Sequence, residues 1–409
     1  MAETWQPPRL RSGQTSTSDR HATWLELFFD LVFVVAVNAL AHMLYPELSL
    51  HHLVRFGVLY IPVWWAWIGA TFYATRFDTD DVLQRVLIFV QMNAVLTLAL
   101  NIEEGLGATS TVFALAYAIV RGVLVLQYLR AGWSIAAARP LTRRFARGFA
   151  CAAAMWLLSA FVPAPWRFVL WAVGLIVDIG TPLFAGRLHA HFAPDLSHLP
   201  ERFGLFTVVV LGESIVAVAN GVAVQQWNVF STLTAILGFS IAFCLWGAYF
   251  DHASDGAIRA ARDHGRVMIY QLWLYTHLPL MIGLTAAAAG VQHALASPPG
   301  EPLGNAQRWL LSGAVAVCLV ALAGIHSANA SITSAANRTR TQVRAAYRSV
   351  GGLGLCLVGV FGRGLRPVEV VACIAAVCIA QIFLDLFVRS SGAAAEGVIG
   401  QPFIEAPSD

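Results

Sequence analysis

Twelve stretches of the chain hold close to 20 mostly apolar residues each, the length an α-helix needs to cross the hydrocarbon of a bilayer. There, every backbone N–H and C=O must find its partner within the spanning structure, so runs of this kind fold as helices. The runs predict spans over 24–44, 54–75, 83–101, 111–130, 146–162, 166–186, 202–222, 229–250, 266–290, 307–326, 345–362 and 368–389. The fifth is the weakest, bounded by Pro163 and Pro165. Only 12% of the 409 residues are charged, against about 25% in soluble domains, too few to clothe a water-soluble globule. The expected fold is all-α: a polytopic integral membrane protein of about twelve transmembrane helices in two six-helix parallel repeats. The halves are expected over 23–190 and 191–390, between a disordered cytoplasmic tail (1–22) and a second cytoplasmic tail (391–409). Residues 1–22 lack the apolar run and small-residue cleavage site of a signal peptide, so the first run is expected to remain as a spanning helix.

All 26 basic residues are arginine. No lysine is present to form a Schiff base or complete a phosphate loop, and the net charge of +3 comes without the basic, aromatic-interleaved groove that nucleic acid requires. Cys151, Cys244, Cys318, Cys356, Cys373 and Cys378 sit in apolar runs without CxxC spacing and read as small hydrophobes. No cofactor and no metal site is expected.

Arginine placement sets the expected orientation. Arg130, Arg139, Arg143, Arg144 and Arg147 follow the fourth run, and Arg338, Arg340, Arg344 and Arg348 follow the tenth; the loops NIEEGLGATS and VAVQQWN are nearly free of arginine. Both termini are therefore expected in the cytoplasm. A repeat is visible between LELFFDLVFVVAV from Leu25 and PERFGLFTVVVLGES from Pro200, which pairs Glu26 with Glu201 and Phe28 with Phe203. Arg85 and Arg266 lie in a second matching pair of strings, and Asp178 and Asp385 in a third. An even number of helices per half gives a parallel repeat.

The strings WLELFFDLVFVVAV at Trp24, RFDTDDVLQR at Arg76, YAIVR over 117–121 and HLPERFGLFTVVVLGES over 198–214 resemble, in order, those of the bacterial low temperature requirement protein A (LtrA) family. The resemblance covers roughly residues 20 to 390. It implies a polytopic protein of the bacterial inner membrane, linked to growth at low temperature, and it implies no reaction.

The residues that demand chemistry are the charges inside the apolar runs, because a charged side chain at the bilayer centre costs about 2.5–3.5 kcal/mol on insertion scales. In the first run Glu26, Asp30, Asn38 and His42 recur at multiples of four and form one stripe on a helix. Glu213, Asp178, Arg121 and His277 fall near mid-depth of their runs. Two readings stand side by side: a structural polar cluster neutralised by Arg121, or a proton or ion site with one titrating carboxylate. Glu26, Asp30 and Glu201 would form a cytoplasmic mouth, or be balanced by a snorkelling arginine or water. In RFDTDDVLQR, Asp78, Asp80 and Asp81 lie between Arg76 and Arg85. They read as a helix start, with Asp80 or Asp81 as N-cap and Arg85 paired to Asp81, or as a divalent-ion site. His189, His191 and His198, near Asp195 and Glu201, match no strong zinc spacing and read as a polar loop. Pro62, Pro182 and Pro279 interrupt helices of the kind that line transport sites. GxSxG and HExxH are absent.

These features together point to a transporter or ion-conducting protein, proton-coupled or proton-sensitive, acting on a small ion or small molecule. The expected partner is the lipid bilayer, with a homo-oligomer as a further possibility. The alternatives are a lipid-handling membrane enzyme using the Asp78, Asp80 and Asp81 group, or an envelope stress sensor.

Overall fold

The computed structural model describes residues 5–10, 22–46, 48–185, 188, 192, 195, 198–225, 228–251, 256–257, 266–330 and 335–399. Twelve α-helices account for nearly all of them: α1 (Trp24–His42), α2 (Leu50–Arg76), α3 (Val82–Leu100), α4 (Ser110–Ser134), α5 (Arg139–Ser159), α6 (Trp166–Leu183), α7 (His198–Gln225), α8 (Val229–Phe250), α9 (Val267–Ala296), α10 (Asn305–Asn329), α11 (Ala335–Phe361) and α12 (Pro367–Ile399). Eleven are long and apolar enough to cross a membrane. The exception is α5, whose first half carries Arg139, Arg143, Arg144 and Arg147. The structure thus draws Arg139, Arg143 and Arg144, which lie before the expected 146, into the same helix as Arg147.

The same correction applies at α11. It begins ten residues before the expected 345 and takes in Arg338, Arg340 and Arg344 ahead of Arg348, which the expected span already held. Their spacing is helical, and Arg348 is fully buried. At the N-terminus, residues 9 and 10, expected in a disordered tail, form strand β1 (Arg9–Leu10), antiparallel to β2 (Phe77–Asp78).

Helix ends fall on two faces of the bundle. On the face where α1 begins, Asp195 N–H donates to Thr75 C=O at 3.3 Å and Gln271 reaches the Leu183 carbonyl from the start of α9. On the opposite face His293 donates to the Leu44 carbonyl at 2.7 Å, Arg55 to that of Glu103, and Leu303 N–H to Leu365 C=O. Neighbour relations recur along the chain. In the first six helices α1 packs on α3, α3 on α4, α4 on α5 and α5 on α6; in the second six α7 packs on α9, α9 on α10, α10 on α11 and α11 on α12. The two sets meet where α1 and α2 touch α7 and α9.

Apolar side chains gain nothing from leaving lipid tails for one another, so close approach supplies the attraction between helices in a membrane. The α9–α10 seam depends on it: a Cβ at Gly290 would stand 2.9 Å from the Leu311 Cα, and one at Gly283 3.0 Å from the Ala314 carbonyl. Of the six cysteines, Cys244, Cys318 and Cys378 are buried, while Cys151 and Cys373 face outward.

Candidate functional site

The α1 stripe meets α7. Thr23 caps α1 in a capping box with Glu26, which fixes that carboxylate at the helix start. Glu26 Oε2 lies 2.8 Å from His198 Nε2 and 3.5 Å from Arg202 Nη1. One turn on, Asp30 Oδ1 accepts from Arg202 Nη2 at 2.6 Å and from the Trp67 indole at 2.8 Å. Arg202 therefore balances the like charges of Glu26 and Asp30, and it does so fully buried. Glu201 faces the same junction and accepts from Ala22 N–H at 3.2 Å.

Twelve residues beyond Glu26 along α1, about 18 Å at 1.5 Å per residue, the Asn38 amide donates to both oxygens of Glu213, at 3.3 and 3.2 Å. The Tyr45 hydroxyl, just past the end of α1, donates to Glu213 Oε1 at 2.8 Å. Burial and the adjacent Glu213 carboxylate push Tyr45 well above its ordinary range, which keeps its hydroxyl a donor. Because both contacts advance the same way along α1 and α7, the two helices run parallel. Three members of the stripe thus face α7; His42 is exposed, its ring 4.9 Å from that of Tyr45.

Asp178 and Arg121 form a separate pair. Arg121 Nε lies 2.7 Å from Asp178 Oδ2, both side chains fully buried. Tyr117 completes it: its hydroxyl donates to Asp178 at 2.7 Å and accepts from Arg121 Nε and Nη2 at 3.0 and 2.8 Å. The guanidinium also lies over the rings of Tyr117 and Phe149. It sits against Gly69, where any Cβ would collide with Nη1. Arg121 is thus held by Asp178, and among the described residues Glu213 has no arginine or histidine within 4 Å. His277 stands apart from these acids. Its Nδ1 meets the Trp273 carbonyl at 2.7 Å and its Nε2 the Tyr249 hydroxyl at 3.3 Å, inside a box of Phe203, Trp273 and Tyr249 rings. A carbonyl only accepts, so Nδ1 carries a proton.

The aspartate motif is divided among different partners. Asp81 caps α3 through Gln84 N–H at 2.9 Å. It binds the Arg130 guanidinium through both oxygens and accepts from Gln6 N–H at 3.0 Å. Burial works against its charge, but the Arg130 and backbone hydrogen bonds outweigh it and hold the carboxyl below the ordinary range. Arg85, expected to pair with Asp81, pairs with Asp80 at 2.9 Å on the surface. Asp78 lies in β2. Arg76 is buried, donating to the Phe192 carbonyl and stacking on Phe72 and Phe145. His189 and His191 lie outside the described residues. His198, expected in a polar loop, starts α7 and serves Glu26.

Several contributors carried no sequence signal of their own. Arg202 stands beside Glu201 at a helix start, Tyr45 lies in a loop, and Trp67 and Tyr117 are aromatic residues inside apolar runs. Asp385, noted only as the match to Asp178, binds Arg348 Nη2 at 2.9 Å. An apolar groove of about 460 Å³ opens between α2, α9 and α10, lined by Phe56, Gly283 and Trp309 among others, and touches none of these carboxylates.

The family model described as bacterial low temperature requirement A protein (LtrA) matches residues 21–383. An uncharacterized protein of Rhizobium meliloti (strain 1021) is 26% identical over 295 residues, covering 69% of this chain and 72% of that protein. No solved structure matches.

Proposed function

We propose that this chain, which belongs to the bacterial low temperature requirement A protein (LtrA) family, is a membrane transporter or ion-conducting protein in which Glu213 takes up and releases a proton. One observation carries this reading. Among the described residues six acids are buried. Among the described residues Glu26, Asp30, Asp81, Asp178 and Asp385 each have an arginine or histidine within 4 Å, while Glu213 is held by an amide and a hydroxyl alone. Protonating any of the first five breaks an ion pair. Protonating Glu213 breaks none, and an ionisable residue inside a membrane is a functional site by default.

The proposed route follows the α1–α7 seam from Glu213 to Asp30 and Arg202 and on to Glu26, His198 and Glu201. The recurring neighbour relations support two parallel six-helix halves, 23–190 and 191–390, with the seam between them. The arginine-rich face would lie in the cytoplasm of a bacterial cell, with both termini on it. The test is proton flux into liposomes holding the purified chain, followed with a trapped pH-sensitive dye while monovalent cations and small organic ions are scanned. Flux lost in Glu213→Gln supports the reading. Flux unchanged by that substitution, or no flux under any gradient, overturns it.

A further inference from the structure

Arg340, Arg344 and Arg348 stand four residues apart on α11, so they share one face of the helix and step about 12 Å inward. Exposure falls along the row: Arg340 is half-buried, the Arg344 side chain is 14% exposed and that of Arg348 0%. A row of this kind at a helix end normally snorkels outward to water. Here the innermost member turns inward. Arg348 Nη2 donates to Asp385 Oδ2 of α12 at 2.9 Å, and Arg344 Nε lies 3.3 Å from Oδ1. The Tyr347 hydroxyl donates to the same carboxylate, and His326 of α10 receives Arg348 Nη1 at a ring nitrogen. Accepting from a guanidinium makes that imidazole neutral.

The described cluster therefore holds two guanidiniums for one carboxylate, unlike the one-to-one pair of Arg121 and Asp178. Moreover, Arg348 Nε is buried without a hydrogen-bond acceptor, and Arg344 meets the cluster only through its Nε contact with Asp385. A buried excess guanidinium with an unused N–H is complementary to an oxyanion, a strong acceptor of charge-assisted hydrogen bonds. We infer that the junction of α10, α11 and α12 binds a phosphate-type oxyanion at Arg344 and Arg348, reached along the arginine row from the face where α11 begins. The anion is either free phosphate or the phosphate of a lipid headgroup. This site is independent of Glu213 and of proton flux.

The test uses the full chain in phosphatidylcholine nanodiscs, titrated with inorganic phosphate in a calorimeter, with chloride as the reference anion. Saturable phosphate binding, weakened at least tenfold in Arg344→Gln and unchanged in the surface variant Arg85→Gln, is the expected result. Arg344→Gln leaves the Arg348–Asp385 pair intact and so reports the site even if Arg348→Gln fails to fold. Repeating the titration in phosphatidylglycerol nanodiscs separates the sources. Binding suppressed there, with melting raised by phosphatidylglycerol only when Arg344 is present, assigns the site to a headgroup; binding that persists assigns it to free phosphate. No saturable binding and no Arg344-dependent effect of the lipid, or equal binding in wild type and Arg344→Gln, overturns the proposal.

Discussion

Asp178 and Glu213 are both buried carboxylates inside spanning helices, and each accepts from a tyrosine hydroxyl, Tyr117 at 2.7 Å and Tyr45 at 2.8 Å. They differ in the second partner. Asp178 has the guanidinium of Arg121, itself stacked on two aromatic rings and fitted against Gly69; Glu213 has the neutral amide of Asn38. A buried ion pair is rigid because either member alone would be an uncompensated charge. The comparison teaches that intramembrane carboxylates sort by what faces them. Asp178 holds α6 to α4 through an ion pair, whereas among the described residues no ion pair ties Glu213.

The largest effect should come from breaking the pair. Arg121→Gln strands Asp178 and should cost about 3–5 kcal/mol, seen as a large fall in melting temperature in detergent, with Arg121→Gln/Asp178→Asn recovering most of it. Recovery of none would mean that the arginine acts through packing. Gly69→Ala pushes a methyl group into the guanidinium and should cost about 1–3 kcal/mol, read by the same melt. Glu213→Gln should melt within about 1 kcal/mol of wild type, the scale of membrane hydrogen bonds, while losing flux; a fall as large as that of Arg121→Gln would erase the distinction between the two acids.

Asp81 offers a pH test outside the spans. Its folded carboxyl titrates below the ordinary range, so its hold on Arg130 and Gln6 is complete above that range and is lost as pH falls below about 4. Melting should drop between pH 5 and 3 by more in wild type than in Asp81→Asn. The smallest effect belongs to Arg85→Gln: its pair with Asp80 is solvent-exposed, and the melt should not move.

The spans were legible because apolar length is a local property. The misread boundaries lie at α5, at α11 and at the end of α12, which runs to Ile399 through the expected tail; at the first two, arginines every three to four residues looked like loop composition although their spacing is helical. The acids of the candidate site were equally legible, since a carboxylate in an apolar run stands out. Their pairings were not, beyond Arg121 as the cation that neutralises one of them. Arg202 lies 172 residues from Asp30 and Asn38 lies 175 from Glu213, and no period within either helix ties such residues together. Only the packing of α1 on α7 does, and it is set by shape across the whole bundle. The repeat aligns Arg202 with Leu27, so internal symmetry could not have supplied it either.

The same separation governs how the protein is made. Trp67 reaches Asp30 from 37 residues downstream, whereas Arg202 comes 172 residues downstream. At a ribosomal pace of about 5–20 residues per second, roughly 10–35 s pass between synthesis of the acid and of its cation. Through that interval the nascent first half holds Asp30 by one indole, and the arrival of α7 completes the pair.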